Sequence, residues 1–387
     1  MRDVAIIGVG ETKIGELWDR SLRELGIEAG LKAIQDAGVR GEDVERMYIG
    51  NMSAGKLIDQ EHVAPLIADY AGLSHIPSTR IESGGASGGM ALSEAYKAVA
   101  SGMNDIVVVG GAEKMTDVGE DEAKKILSST ADQEWETVFG ATFESLYAMM
   151  ARYHMDKYGT TREQLAQVAV KNHSNAAKNP NAQFPRETNK DFVMKAPVVS
   201  DPLGMFDCAP LSDGGAAVVL CPVERVDEFE GEPVEIVSMG EGGDTMAVHE
   251  REEIGTLKAT QRAAEMAYER AGLKPEEIDF AEVHDNFTIT EIMAIEDLGF
   301  FEKGEGGKAT EEGKTELNSE ISINTSGGLK AKGRPVGAVG INQAIEAVHQ
   351  LRGDAGQRQV EDAEYGLTHN MGGTGASAVV HIFGRWS

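Results

Sequence analysis

The chain has 387 residues, 41% of them hydrophobic and 26% charged, enough for two or three compact units around a sizeable core. Its 64 acidic residues outweigh 36 basic ones for a net charge of -28, which argues against nucleic-acid binding because phosphate contacts need a positive footprint. No apolar run approaches the roughly eighteen residues of a membrane span, and the two cysteines, Cys208 and Cys221, neither supply a disulfide framework nor show metal-ligand spacing, so a cytoplasmic protein without structural zinc is expected.

The acid excess reads either as a solvated surface or as adaptation to high salt, and composition leaves both open. In chain order, VAIIGVG near the N-terminus is an apolar strand pattern without a signal-peptide layout. Residues 29–50 then read as an amphipathic helix stopped at Ala37-Gly38, an acidic turn and a strand. The Gly-rich turn GASGG (85–89) feeds a helix, and DIVVVGGAE (105–113) follows as a strand. Beyond it the pattern changes to long helical stretches such as TFESLYAMMARYHMDKYG and TTREQLAQVAVKNHSNAAKN, which predict an inserted helical domain over 117–203. SDGGAAVVLC (212–221) closes the first half as a strand, Glu224 to Gly231 is an acidic linker, and PVEIVSMG opens the second half. The predicted units are therefore 1–116 with 204–222, the insertion 117–203, and 232–387.

Internal repetition supports two halves. Residues 29–50 align without gaps on 263–284, an offset of 263 minus 29 or 234, so that Ala29, Ala33, Ala37 and Gly38 meet Ala263, Ala267, Ala271 and Gly272. Residues 85–99 align on 334–348 at 334 minus 85 or 249, pairing Gly88 with Gly337 and Gly85 with Arg334. Short apolar runs alternating with helices predict a mixed, largely parallel sheet covered by helices on its faces.

Five segments in order, GGASGGMAL (84–92), DCAPLSDGGAAVVL (207–220), EVHDNF (282–287), GGLKAKGRPVGAVG (327–340) and NMGGTGASAVVHIF (370–383), resemble the thiolase superfamily. NHSNAAKNPNAQF (172–184) is similar to its archaeal, sterol-carrier-thiolase-like branch. The resemblance implies an α/β thiolase fold, with two tandem βαβαβαββ halves in a layered α/β/α/β/α core and an inserted helical loop domain. It also implies acyl-CoA metabolism with coenzyme A or acyl-CoA as ligand and no tightly bound cofactor. Coenzyme A is itself a polyanion, so its site needs local positive charge against the overall field. A homodimer or homotetramer is implied, as are an OB-fold zinc-ribbon partner and hydroxymethylglutaryl-CoA synthase as partners, with no membrane.

The residues at the family's reactive positions depart from its pattern. Gly85 stands where the resemblance places the nucleophilic cysteine, Asn286 where this branch has the acid-base cysteine, Arg334 where the Gly-His-Pro motif has histidine, and Asn370 at the C-terminal cysteine position. Glycine has no side chain to attack with, an amide exchanges no proton near neutral pH and arginine stays charged. His284 remains the candidate acid or base, at a strand's C-terminal end where sites in such sheets collect, with His369 ranked below it. Gly372, Gly373 and Gly375 match the backbone oxyanion loop, and Phe139, Gly140, Ser87 and Phe287 match substrate-binding positions. Cys208 as a substitute nucleophile is weighed against a buried structural thiol, and the latter is preferred; Ser87 reads as a first-turn hydroxyl rather than a nucleophile, because no base is supplied for it. Arg334 is equally a carboxylate or phosphate ligand and a structural ion-pair partner. The expected function is acyl-CoA binding without cysteine-dependent thiolysis, as a subunit of a larger complex. The alternatives are a cysteine-independent retro-aldolase with an OB-fold partner and a residual acyltransferase.

Overall fold

The computed structural model describes residues 2–386. Val4 to Ile7 are buried on both faces, as a strand covered by helices on both sides must be, and they open β1 (Val4–Glu11). The first half continues with α1 (Leu22–Ala37), β2 (Arg46–Gly50), α2 (Ala54–Leu57), α3 (Val63–Tyr70), β3 (Ser78–Ile81), α4 (Ser87–Ala100) and β4 (Val107–Glu113). The insertion carries α5 (Glu120–Ser128), α6 (Phe143–Tyr158), α7 (Arg162–Ala176) and α8 (Lys190–Met194), then a small hairpin of β5 (Val198–Ser200) and β6 (Leu203–Gly204) that the helical pattern did not reveal. The chain returns to the sheet as β7 (Gly214–Pro222). The second half runs β8 (Val234–Gly243), α9 (Lys258–Ala271), β9 (Phe280–Glu282), α10 (Thr288–Asp297), α11 (Gly306–Glu311), β10 (Ser322–Ile323), α12 (Val339–Arg352), β11 (Tyr365–Gly372) and β12 (Ser377–Arg385).

The strands form one sheet in the order β10-β9-β11-β12-β8-β1-β7-β4-β2-β3. Read outward from its centre, the order is the same in both halves, joined by an antiparallel contact in which Val4, Ala5 and Ile6 face Ile236, Glu235 and Val234. Helices α4 and α12 pack together between the two halves of the sheet, α1 and α3 cover one outer face, and α9 and α10 the other. This is the layered α/β/α/β/α arrangement. Almost every residue of α12 is buried, which is why small and apolar residues run all round it rather than along one stripe. Among the described residues no helix is long and apolar enough to cross a membrane.

Two expectations need correction. The sheet is mixed, as expected, but not largely parallel: β2 pairs in parallel with β3 and β4, and β9 with β10 and β11, whereas β7 and β12 return antiparallel to their neighbours. β12 follows β11 through a turn too short for the crossover that a parallel return requires. The 234 offset holds, since α1 ends at Ala37 and α9 at Ala271. The 249 offset does not. A single 3-10 turn precedes each central helix, Gly84–Ala86 before α4 and Val336–Ala338 before α12, so the halves superpose at 336 minus 84, or 252. Gly85 therefore corresponds to Gly337, and Arg334 lies three residues earlier in the loop. Small residues recur every three or four positions on both helices, so a slip of about one turn keeps the same stripe aligned and sequence identity cannot tell the registers apart.

Candidate functional site

The segment between β10 and α12 is shaped by buried acceptors. Gly328 has φ +60 and a Cβ there would lie 2.3 Å from Asp285 Oδ2, so only glycine lets the chain close over this carboxylate. Asp285 accepts from the Leu329 N–H at 2.6 Å, the Lys330 N–H at 3.2 Å and Asn172 Nδ2 at 2.7 Å. Asn172 also reaches Glu291 at 2.8 Å, whose other oxygen faces Lys171 Nζ at 3.0 Å. The inserted domain is thereby tied to the loop that carries Lys330 and Arg334. Burial and the neighbouring Glu291 hold the Asp285 carboxyl well above the usual range.

His284 follows β9, and its ring is fully buried. Asn370, on β11, accepts the Gly89 N–H through Oδ1 at 3.2 Å, so its Nδ2 faces the imidazole and donates to Nδ1 at 3.1 Å. That contact places the ring proton on Nε2. Nε2 points at Gly85, where a Cβ would lie 3.0 Å from it, 2.9 Å from Cε1 and 2.6 Å from the Met371 carbonyl oxygen. The place where a nucleophile would stand is packed shut. Burial, with Arg334 and His369 nearby, drives the His284 pKa well below 6.5; His369, bonded to Thr260 Oγ1 at 2.8 Å, is pushed down to about 3 by burial. His284 is accordingly neutral at physiological pH. Its Hε1 resonance is expected not to titrate between pH 5.5 and 8, and a sigmoidal shift centred near 6.5 would refute the assignment. Because its folded pKa lies below the unfolded value of 6.5, its contribution to stability is intact above that pH and is lost as pH falls below it.

Beside this closed centre lies a cavity of about 380 Å³ whose lining includes Phe143, Phe287, Asn286, Cys208, Lys330 and Arg334. Phe287 stacks on Tyr147 at 4.4 Å between ring centroids, and Phe143 meets Tyr147 edge-on at 5.1 Å. The Tyr147 hydroxyl donates to the Gly373 carbonyl oxygen at 2.6 Å, and burial pushes its pKa up to about 12. Asn286 Oδ1 accepts from Thr290 Oγ1 at 2.8 Å, and its buried Nδ2 faces the Tyr147 hydroxyl oxygen, an interaction that opposes the rise of the tyrosine's pKa. The Arg334 guanidinium sits 5.2 Å over the Phe143 ring. It is 5% exposed, its Nε has no hydrogen-bond partner, and it pairs with no carboxylate among the described residues. Of the readings of Arg334, an ion pair to the inserted segment is not found among the described residues, and a pair across a dimer is untouched by a single chain. Burial lowers its pKa to about 10, so it remains a cation.

The structure divides the other predicted residues. Ser87 both donates to the Gly84 carbonyl at 2.7 Å and accepts the Ser83 N–H at 2.9 Å, so its hydroxyl is spent on the start of α4 and not offered to a ligand. Phe139 and Gly140 stand on an exposed turn, Phe139 at 78% exposure, and they line no part of the cavity. Gly372 and Gly373 line a second cavity of about 460 Å³ with Gly84 and Arg80, to which Arg334 and Asn286 do not contribute; Gly375, at φ +101, completes the turn between β11 and β12. Cys208 is pushed up to about 12 by burial, and its Sγ lies 3.5 Å from the Gly204 carbonyl oxygen, the environment of a structural thiol rather than a nucleophile. Cys221 is buried in β7 and is also pushed up to about 12. Sequence reasoning missed Lys330. Its signal was available in GGLKAKGRP, where Lys332 pairs with Glu11 at 3.0 Å and Lys330 with nothing, a distinction that needs three dimensions.

A two-half α/β protein with reactive motifs gathered at the inner ends of β9, β11 and the central helices is the architecture of the thiolase class. The chain belongs to the thiolase family: the Thiolase, N-terminal domain model matches residues 4–224 and the Thiolase C-terminal domain-like model residues 240–385. It is 56% identical to an acetyl-CoA acetyltransferase of Methanothermobacter thermautotrophicus over 385 residues, covering 100% of both chains. Sterol carrier protein 2 of Bos taurus is 33% identical over 98% of this chain and 72% of its own. Among solved structures, an Ltp2-ChsH2(DUF35) aldolase matches with a TM-score of 0.86 and 29% identity, covering 99% of this chain and 98% of that one. The protein is thus a thiolase-family protein of acyl-CoA metabolism.

Proposed function

We propose that the protein binds an acyl-CoA or a related thioester in the 380 Å³ cavity without forming a cysteinyl acyl-enzyme, as a subunit of a larger assembly. One observation carries this reading: the cavity is lined by Asn286 and by the Arg334 guanidinium, whose Nε has no hydrogen-bond partner among the described residues, while Gly85 carries no side chain that could attack. Donors without a nucleophile suit the polarisation of a thioester carbonyl and do not suit acyl transfer through the protein. The likeness to an aldolase with a DUF35 chain supports a second reading, cysteine-independent retro-aldol cleavage of an acyl-CoA with an OB-fold partner. That reaction needs a carbonyl-polarising site and no acyl-enzyme. A homodimer or homotetramer, as the family resemblance implies, is part of the proposal.

The test is to incubate the protein with acetoacetyl-CoA, with and without free CoA, and read both thiolysis and intact mass. No turnover and no acyl adduct are expected. An adduct on Cys208 or Ser87, or turnover abolished by Ser87→Ala, would overturn the proposal. Gly85→Cys is expected to restore no thiolysis and to cost about 1–3 kcal/mol through overpacking against the Met371 carbonyl; a stable variant with full thiolase turnover would refute this.

A further inference from the structure

Lys330 and Arg334 are two cations buried in one cavity of an acidic protein, and neither forms a salt bridge among the described residues, although Asp207 and Asp285 act on Lys330, and Glu144 and Asp285 on Arg334, from farther off. Lys330 is 4% exposed and holds its Nζ 5.4 Å from the Phe206 ring centroid and 6.0 Å from that of Phe184. It forms no salt bridge and no side-chain hydrogen bond among the described residues. Its neighbour Lys332, two residues on and equally buried, is neutralised by Glu11 at 3.0 Å, so the absence of a partner at Lys330 is specific to the cavity wall. Isolated buried charge is costly and is retained where something else supplies the counter-charge. A thioester carbonyl is a neutral acceptor, which Asn286 and Arg334 suffice to engage. The second cation remains over.

Building on the thioester-binding reading, we infer that the cavity selects an acyl group that itself carries a carboxylate, held by Lys330, rather than a purely apolar acyl chain. The rings of Phe143, Phe184, Phe206 and Phe287 give the methylene part an apolar wall. The counter-anion has one other source, the phosphates of coenzyme A. Arg334 lies deep, beside Asn286 and within electrostatic reach of His284, and Lys330 lines the same cavity among its rings, where the acyl end of a thioester belongs and the nucleotide, a pantetheine arm away, does not. Drawing a dianionic phosphate into a ring-lined cavity also costs more desolvation than drawing in a carboxylate.

Calorimetric titration of the full-length protein with succinyl-CoA, butyryl-CoA and free CoA tests this. Succinyl-CoA and butyryl-CoA have acyl chains of equal length and differ at the far end by one carboxylate. Succinyl-CoA is expected to bind about tenfold tighter than butyryl-CoA, the scale of one charge-assisted contact, and Lys330→Met to bring the ratio within about twofold. Equal affinities for the unmodified protein would overturn the inference and leave thioester binding standing. If Lys330→Met weakens free CoA as much as succinyl-CoA, the cations serve the nucleotide phosphates and the carboxylate assignment falls. Failure of all three to bind would overturn the thioester reading with it. The comparison within the unmodified protein decides the matter even if the variant does not fold.

Discussion

Asp285→Ala is expected to lower unfolding free energy by about 3–4 kcal/mol, read as a shift of the denaturant midpoint at constant slope. The carboxylate is fully buried and serves three donors, the Leu329 and Lys330 N–H groups and Asn172 Nδ2. Each donor left unmatched in the interior costs about 1–3 kcal/mol, and relaxation of the loop recovers part of the sum. The same substitution frees the segment that carries Lys330 and Arg334, so ligand affinity should fall with stability. Asp285→Asn retains one acceptor oxygen while turning an amide donor toward other donors, and an intermediate loss is expected. A change below about 1 kcal/mol for Asp285→Ala would show that the loop is held by other contacts.

Arg334→Met is expected to act in the opposite direction on stability, raising that of the ligand-free protein by about 1–3 kcal/mol, while removing detectable thioester binding. A buried guanidinium without a carboxylate or an Nε partner is a destabilising feature that an apolar chain of similar length relieves. The contact with the Phe143 ring, 5.2 Å from Cζ, offsets part of the gain by about 0.5–2 kcal/mol. Stability gained and binding lost in one variant is the mark of a residue kept for a ligand. A structural arginine would show the reverse, and destabilisation by a comparable amount would remove Arg334 from the site.

Most of the fold was legible because its signals are local. Apolar runs bounded by glycines marked β1, β4, β7 and β11 to within a few residues, and the Ala-Gly stops marked the ends of α1 and α9. Of the residues that the motifs named, the fold brings His284, Asn286, Phe287 and Arg334 together around one buried centre and the cavity beside it. Phe139 and Gly140 stand apart from that cavity, a placement the sequence does not reveal because an apolar residue next to a glycine looks the same on an exposed turn as in a pocket. Ser87 failed because a hydroxyl's availability depends on backbone atoms folded onto it, here Gly84 and Ser83.

The residue types themselves determined that no cysteine stands at position 85 or 286, that residue 334 is a permanent cation, and that the chain repeats one helix-and-strand module. Those facts are chemical identity and short-range periodicity, and both are carried by the chain before it folds. Tertiary structure alone decided the rest: that Gly85 answers to Gly337 and not to Arg334, that its position is closed by His284 and Met371, and that Lys330 is unpaired while Lys332 is neutralised. Register between two stripes of small residues, the room around a glycine and the partner of a buried charge depend on segments far apart in sequence, and they come into being only when those segments pack.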